Sequence, residues 1–402
     1  MSMSARRDGF RWLVAALVVI LLPVADACAG ESVRVGVLGQ RIRSNPALGR
    51  VYEEAIALAL QTINDDQGGV LGKRLEVVLE DSGASSERAG TALQNLIAVE
   101  GVVLSVGETQ SQSALAEIEI AEQYHHPLIV AEALADDVTG RNFRYVFRAG
   151  PSYSGIIQGT LMGFIIAHGF QRIAMIVEDT NFGENAAALI QGELKSRGLS
   201  ALAVPAPRGT MDLAGIMGTL KSYLPDLIVV LHQELSLAAI VEHMPSAGFP
   251  TPLPLCFSGP SLAGRWGYGG EATADNNPLI LRTERIHPDV NETSESQGFR
   301  RNYRDKFSKE LTDYRVRAIH DVLLIAADAI RRAGSGDSEQ LVTALEQTHL
   351  TVAGGLVRFG TEPGSYRYHH WQPPLLVLQW QGQGTTVVYP RSLATGALQR
   401  PF

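Results

Sequence analysis

The pentapeptide Gly107-Glu108-Thr109-Gln110-Ser111 joins an apolar run at residues 102–106 to an amphipathic stretch at 111–124. Glycine permits a tight turn at such a junction. The serine can either cap the helix or turn its hydroxyl and N–H toward a ligand oxygen. A second segment of this kind, Asp179-Thr180-Asn181-Phe182-Gly183, follows the apolar run 172–177. Its polar residues are candidates to line a cleft, and Phe182 offers a flat apolar face; a plain turn with a core phenylalanine is the alternative. His232-Gln233-Glu234 after residues 227–231 and Ser258-Gly259-Pro260 after 253–257 complete the set. Open parallel sheets bind ligands at the carboxyl ends of their strands, so the shared position of these loops counts for more than any one of them.

The elements that must hold them alternate. Short β-branched runs at 33–38, 75–80, 102–106 and 128–130 are separated by helical periodicity at 50–66, 86–99 and 111–124. After residues 145–148, Gly150-Pro151 breaks the pattern, and a second series begins. Helices are expected at 154–168, 185–197, 211–222 and 235–246, with strands at 172–177, 201–204, 227–231 and 253–257. Two further helices fall at 295–309 and 315–332, and strands at 356–359 and 375–380 close the chain. The alternation predicts an α/β protein with two doubly wound, Rossmann-like sheets.

Catalytic signatures are missing. The sequence has no phosphate loop, GxGxxG turn, GxSxG elbow or HExxH pair, which argues against an enzyme and against a nucleotide or other cofactor. His125-His126 and His369-His370 are adjacent pairs, a spacing that chelates one metal ion poorly, and are expected in solvated polar turns. The two cysteines, Cys28 and Cys256, leave the mature chain without an internal disulfide.

The 402 residues are 45% apolar and 19% charged, enough for two ordinary cores. A net charge of -8 without a basic cluster excludes an electrostatic footprint for nucleic acid. Arg6, Arg7 and Arg11 precede an apolar run at 12–22, and Ala25-Asp26-Ala27 or Ala27-Cys28-Ala29 suits a signal peptidase. Residues 1–29 are thus expected to be a cleaved export signal delivering the protein to the periplasm, with lipidation of Cys28 a lesser alternative.

A wider resemblance rests on particular stretches. These are Ile63-Asn64-Asp65-Asp66-Gln67-Gly68-Gly69-Val70-Leu71-Gly72-Lys73, Leu79-Glu80-Asp81, Val106-Gly107 followed by Ser111, and Tyr145-Val146-Phe147-Arg148. Phe182-Gly183, Pro225-Asp226-Leu227-Ile228-Val229-Val230, Ala326-Ala327-Asp328-Ala329-Ile330 and Gly355-Leu356-Val357-Arg358-Phe359 follow in the same order. In these the chain resembles the Leu/Ile/Val-binding, type I periplasmic binding proteins of branched-chain amino-acid ABC transporters, over essentially its whole mature length. It is also similar to the branch associated with quinone-dependent alcohol oxidation.

The resemblance implies two interleaved lobes joined by a multi-strand hinge, residues 31–143 with 287–353 and residues 150–279 with 356–402, closing on a ligand. It implies a monomer that serves an ABC permease; a sensory protein reporting to a membrane receptor is the other use of such a clamp. The amino-acid grip of the family maps onto Gly107 and Ser111, onto Glu132-Ala133-Leu134 where a threonine is expected, onto Phe182 in place of a hydroxylated aromatic, and near Ser258 in place of an acid. Glu132 or Glu234 is the available acidic substitute, and His232 is a further candidate ligand contact. These departures point away from an ordinary branched-chain amino acid, because a buried ammonium without a paired acid costs on the order of several kcal/mol.

Overall fold

Strand β1, Val33–Gly39, carries valines at alternate positions that reach one face of its sheet, while Leu38 reaches the other. A computed structural model describes residues 32–39, 42–43, 45–83, 85–207, 209–210, 213–232, 240, 243–244, 253–256, 281–284, 289–311, 313–364, 367–372, 375–381 and 384–400. The expected export signal, Glu234, Ser258 and most of the expected helix 235–246 lie outside the described residues.

The first sheet is parallel, in the order β2-β1-β3-β4-β5, with β2 at Leu75–Asp81, β3 at Leu104–Val106, β4 at Leu128–Val130 and β5 at Val146–Arg148. Helix α1, Pro46–Leu60, starts earlier than its periodicity implied, because Asn45 accepts the Leu48 N–H and proline occupies the first turn. It runs on through a wider turn at Gln61–Asp66. Helices α2, Ser86–Ala98, and α3, Ser111–Gln123, cover the opposite face, and α4 is a single turn at Asp137–Gly140.

The second sheet has the order β14-β13-β10-β9-β8-β6-β7. Its parallel part is β6 Arg172–Val177, β7 Ser200–Pro205, β8 Leu227–Leu231, β9 Leu253–Cys256 and β10 Leu281–Glu284. An antiparallel hairpin, β13 Leu376–Gln381 and β14 Gly384–Tyr389, extends the β10 edge. Its helices are α5 Tyr153–Ile156, continuing through Ile157–Leu161 into α6 Met162–His168, then α7 Asn181–Ser196 and α8 Leu213–Tyr223. Thr180 caps α7 through the Gly183 N–H, so that helix also begins before its expected start.

The chain then returns to the first sheet. Helices α9 Ser294–Phe307, α10 Tyr314–Ala333 and α11 Ser338–Glu346 bury Phe299, Ile319, Leu323, Ile330 and Leu345 in the same core as Val35 and Val37. The hairpin β11 Leu350–Val352 and β12 Gly355–Val357 follows, before β13 rejoins the second sheet. The two-sheet α/β architecture is the expected one. No helix among the described residues is long and apolar enough to cross a membrane.

The expected solvated turn holds for His125, which is exposed in a turn, but His126, His369 and His370 are a correction. His126 is buried, and its Nε2 lies 2.9 Å from the Ser105 hydroxyl. His369 is fully buried between the rings of Phe147 and Tyr368, 3.9 and 3.8 Å away centre to centre. Its ring nitrogens face the Val146 carbonyl and Glu346. His370 is buried against the Gly150 carbonyl at 2.8 Å. The reason is the return of the chain. Residues 369–371 pair with β5, the Arg148 N–H donating to the His369 carbonyl and the Trp371 N–H to the Arg148 carbonyl. Polar residues in a crossover strand are buried by a partner more than two hundred positions away.

Candidate functional site

The carboxyl ends of β3 and β4 are joined by main-chain bonds. Ala131 N–H donates to the Gly107 carbonyl at 2.9 Å, and the N–H groups of Glu132 and Ala133 donate to the Glu108 carbonyl at 3.2 Å each. Gly107 has φ +134, and a Cβ there would stand 2.5 Å from the Leu38 carbonyl oxygen, so only glycine lets β3 leave the sheet this closely. Gly150 plays a like part at the end of β5, where a Cβ would meet the Ala131 carbonyl oxygen at 2.1 Å.

Glu108 is fully buried. Its Oε2 accepts from Ser82 Oγ at 2.5 Å, and its Oε1 accepts from the N–H groups of Thr109 at 2.6 Å and Gln110 at 3.1 Å. Burial raises its carboxyl above the ordinary range, and these three donors oppose the rise. Ser111 then opens α3 without capping it: Gln110 holds the cap position, and Ser111 Oγ instead accepts the Ala135 N–H at 3.1 Å.

Helix α5 fastens to the same loop. Tyr153 N–H donates to the Leu134 carbonyl at 2.9 Å, and Ser154 places its N–H and hydroxyl on the Asp136 carboxylate at 3.1 and 2.8 Å. Arg148, also fully buried, donates to the carbonyls of Leu134 and Asp136 and to Thr139 Oγ1. Burial lowers its guanidinium to about 10, with Asp136 acting in the opposite direction. The Tyr153 side chain is itself buried and lies close to Ser111. Burial raises its phenol, with Ser111 opposing.

On the second sheet, β6 ends at Glu178, buried to 1% exposure. Its Oε1 accepts from Thr180 Oγ1 at 2.8 Å and its Oε2 stands 3.3 Å from His232 Nδ1, another buried group, at the end of β8. Gly183 allows the next helix to start against that strand end, since a Cβ would lie 2.3 Å from the Glu178 carbonyl oxygen. The Phe182 ring is partly buried and tilted against Tyr153, with centroids 6.1 Å apart.

Of the expected site residues, Gly107, Ser111, Glu132, Ala133 and Leu134 lie in loops bonded to one another at the ends of β3 and β4. Phe182 meets these loops through Tyr153 rather than directly. His232 pairs with Glu178; Glu234 and Ser258 lie outside the described residues. Tyr153 and Glu178 were not expected. Glu178 had a signal, an acid directly after the apolar run 173–177, whereas nothing near Tyr153 in the sequence marks it. No cluster of three or more His, Cys, Asp or Glu side chains suited to a metal ion occurs among the described residues.

This arrangement offers aromatic faces, hydroxyls and strand-end loops. Residues 32–385 match the family model described as periplasmic binding protein. The chain belongs to that family. The family is non-enzymatic, and its members bind small solutes. Among curated relatives, Leu/Ile/Val-binding protein homolog 8 of Brucella suis biovar 1 (strain 1330) is 26% identical, the match covering 96% of this chain and 97% of the relative. Among solved structures, the leucine-binding protein LivK of Thermotoga maritima superposes with a TM-score of 0.72 at 21% identity, covering 89% of this chain and 97% of its own. A solute-binding protein of Rhodopseudomonas palustris BisB5 in complex with 3,4-dihydroxybenzoic acid superposes at 0.70 and 18% identity, covering 92% and 99%. The family and its type I fold agree with the resemblance read from the sequence.

Proposed function

We propose that this protein is the extracytoplasmic solute-binding component of an ABC transporter. Two lobes, residues 31–143 with 287–353 and residues 150–279 with 356–402, close on a small organic solute other than a standard branched-chain amino acid, and the loaded monomer presents it to a membrane permease. Residues 1–29 supply the export signal.

The observation that carries the ligand part of this reading is the join of the two loops at Ser111. Leu134 stands where the amino-acid grip needs a threonine, and the Leu134 and Ala135 backbone is bonded to Tyr153 and Ser111. The fold is compatible with other ligands, since the Rhodopseudomonas palustris BisB5 protein holds an aromatic acid. The sequence resemblance to the quinone-associated branch places alcohols and aldehydes among the solutes to test.

The test is uptake. Protein without residues 1–29 is added to proteoliposomes carrying a reconstituted permease and a radiolabelled solute that it binds. Binding-protein-dependent accumulation supports the reading; binding without accumulation favours the receptor-reporting alternative instead.

A further inference from the structure

Two of the N–H donors beside the start of α3 are already used inside the protein. Glu108 Oε1 takes the Thr109 and Gln110 N–H groups. Ser111 Oγ takes the Ala135 N–H, and Tyr153 stands over Ser111, its own N–H fixed to the Leu134 carbonyl. A helix N-terminus attracts anions through its free N–H groups and partial positive charge. Here the chain supplies that anion itself, in a side chain with no solvent exposure.

Two nearby cations are engaged inside the protein as well. Arg148 is directed at the Leu134 and Asp136 carbonyls and Thr139. Arg315, at the start of α10, is paired in a fork with Asp313. His232 on the second sheet faces Glu178, and Glu132 adds a further buried acid in the loop after β4. A ligand carboxylate entering between Ser111 and Phe182 would meet buried acids and the occupied Thr109 and Gln110 N–H groups, and would lose more hydration than it regains. An uncharged group loses less and still finds the Ser111 and Tyr153 hydroxyls, which can each turn to donate or accept.

We propose that the cleft selects uncharged solutes bearing a hydroxyl or amide and rejects carboxylates, with Glu108 and Tyr153 as the residues that set this preference. The proposal rests on the solute-binding reading above and narrows its ligand class.

Isothermal titration of the protein with benzamide, benzyl alcohol and benzoate tests it, because the three probes share a ring and differ in the polar group. The expected result is binding of an uncharged probe, with benzoate weaker by at least about tenfold, the factor set by ~1.4 kcal/mol. Glu108→Gln removes the built-in charge, and Tyr153→Phe removes one of the two hydroxyls that favour an uncharged solute. Each is expected to narrow the gap between benzoate and benzamide by several-fold, and circular dichroism of both variants checks that they fold. Benzoate binding as tightly as benzamide to the unaltered protein overturns the charge preference and leaves the solute-binding reading standing. An unchanged ratio in both folded variants overturns the roles given to Glu108 and Tyr153. Silence from all three probes counts against the preference, whereas silence across a broad solute screen is what counts against solute binding itself.

Discussion

Glu117 lies on the buried face of α3 with no solvent exposure, and neither carboxyl oxygen has a hydrogen-bond partner among the described residues. Burial raises its carboxyl well above the ordinary value, and the charge of Glu108 raises it further. The sign of the linkage follows. A carboxyl that binds its proton more tightly in the folded state leaves stability whole below the ordinary carboxylate range. That stability is then lost as pH rises toward the raised folded value, and the loss stops once that value is passed. Within that window each pH unit costs about 1.4 kcal/mol. Glu117→Gln keeps the shape and cannot ionise, so the variant gains about that much on the wild type for each pH unit of the window. For a chain of this length the entropy of unfolding is about 0.8 kcal/mol/K, which makes the relative gain about 2 °C in Tm per pH unit. Urea unfolding of both proteins at pH 5.5, 6.5 and 7.5 measures it, and all groups common to both cancel in the difference. Stability curves that run parallel in pH would show that Glu117 does not carry a buried proton, and the reasoning would fail.

Other expectations follow from single groups. His126 is held neutral by burial, its imidazole lowered to about 4 from an ordinary 6.5, so it withdraws stability as pH falls through that window; His126→Gln should flatten the acid limb by about 1.4 kcal/mol per pH unit and move the acid-unfolding midpoint down. Gly107→Ala forces a Cβ against the Leu38 carbonyl at a left-handed φ and should cost about 2 kcal/mol or more in urea unfolding. Arg148→Met strips three acceptors of their donor and should cost about 2–4 kcal/mol, with weakened ligand binding as the loop at 134–139 loosens, read by denaturation and titration together.

The strands were legible wherever burial on both faces demanded an unbroken apolar run, as at residues 227–231, which form β8 without adjustment. Helix starts were less so, because Asn45 and Thr180 move them upstream through a single side-chain bond that periodicity does not register. The closing hairpin was only half visible. Residues 376–381 are apolar enough to announce a strand, while Gly384-Thr385-Thr386 opens β14 as polar residues do a loop. The loop positions of the site followed from a general property of parallel sheets. Its pairings did not, because Glu178 meets His232 and Tyr153 meets Ser111 only once separate strands have been ordered in their sheets. The same holds for His369 and His370, whose surroundings are set by β5.

The central claim is that the cleft takes up a small organic solute. Thermal unfolding of the protein without residues 1–29, against branched-chain amino acids, short alcohols, aldehydes, amides, carboxylates and aromatic acids, tests it most directly. A solute at about a hundred times its dissociation constant adds roughly 2.7 kcal/mol, or about 3–4 °C here. The account predicts a saturable rise with at least one solute outside the branched-chain amino acids, reduced by Phe182→Ala. A rise with leucine, isoleucine or valine alone, or none with any solute, would contradict it.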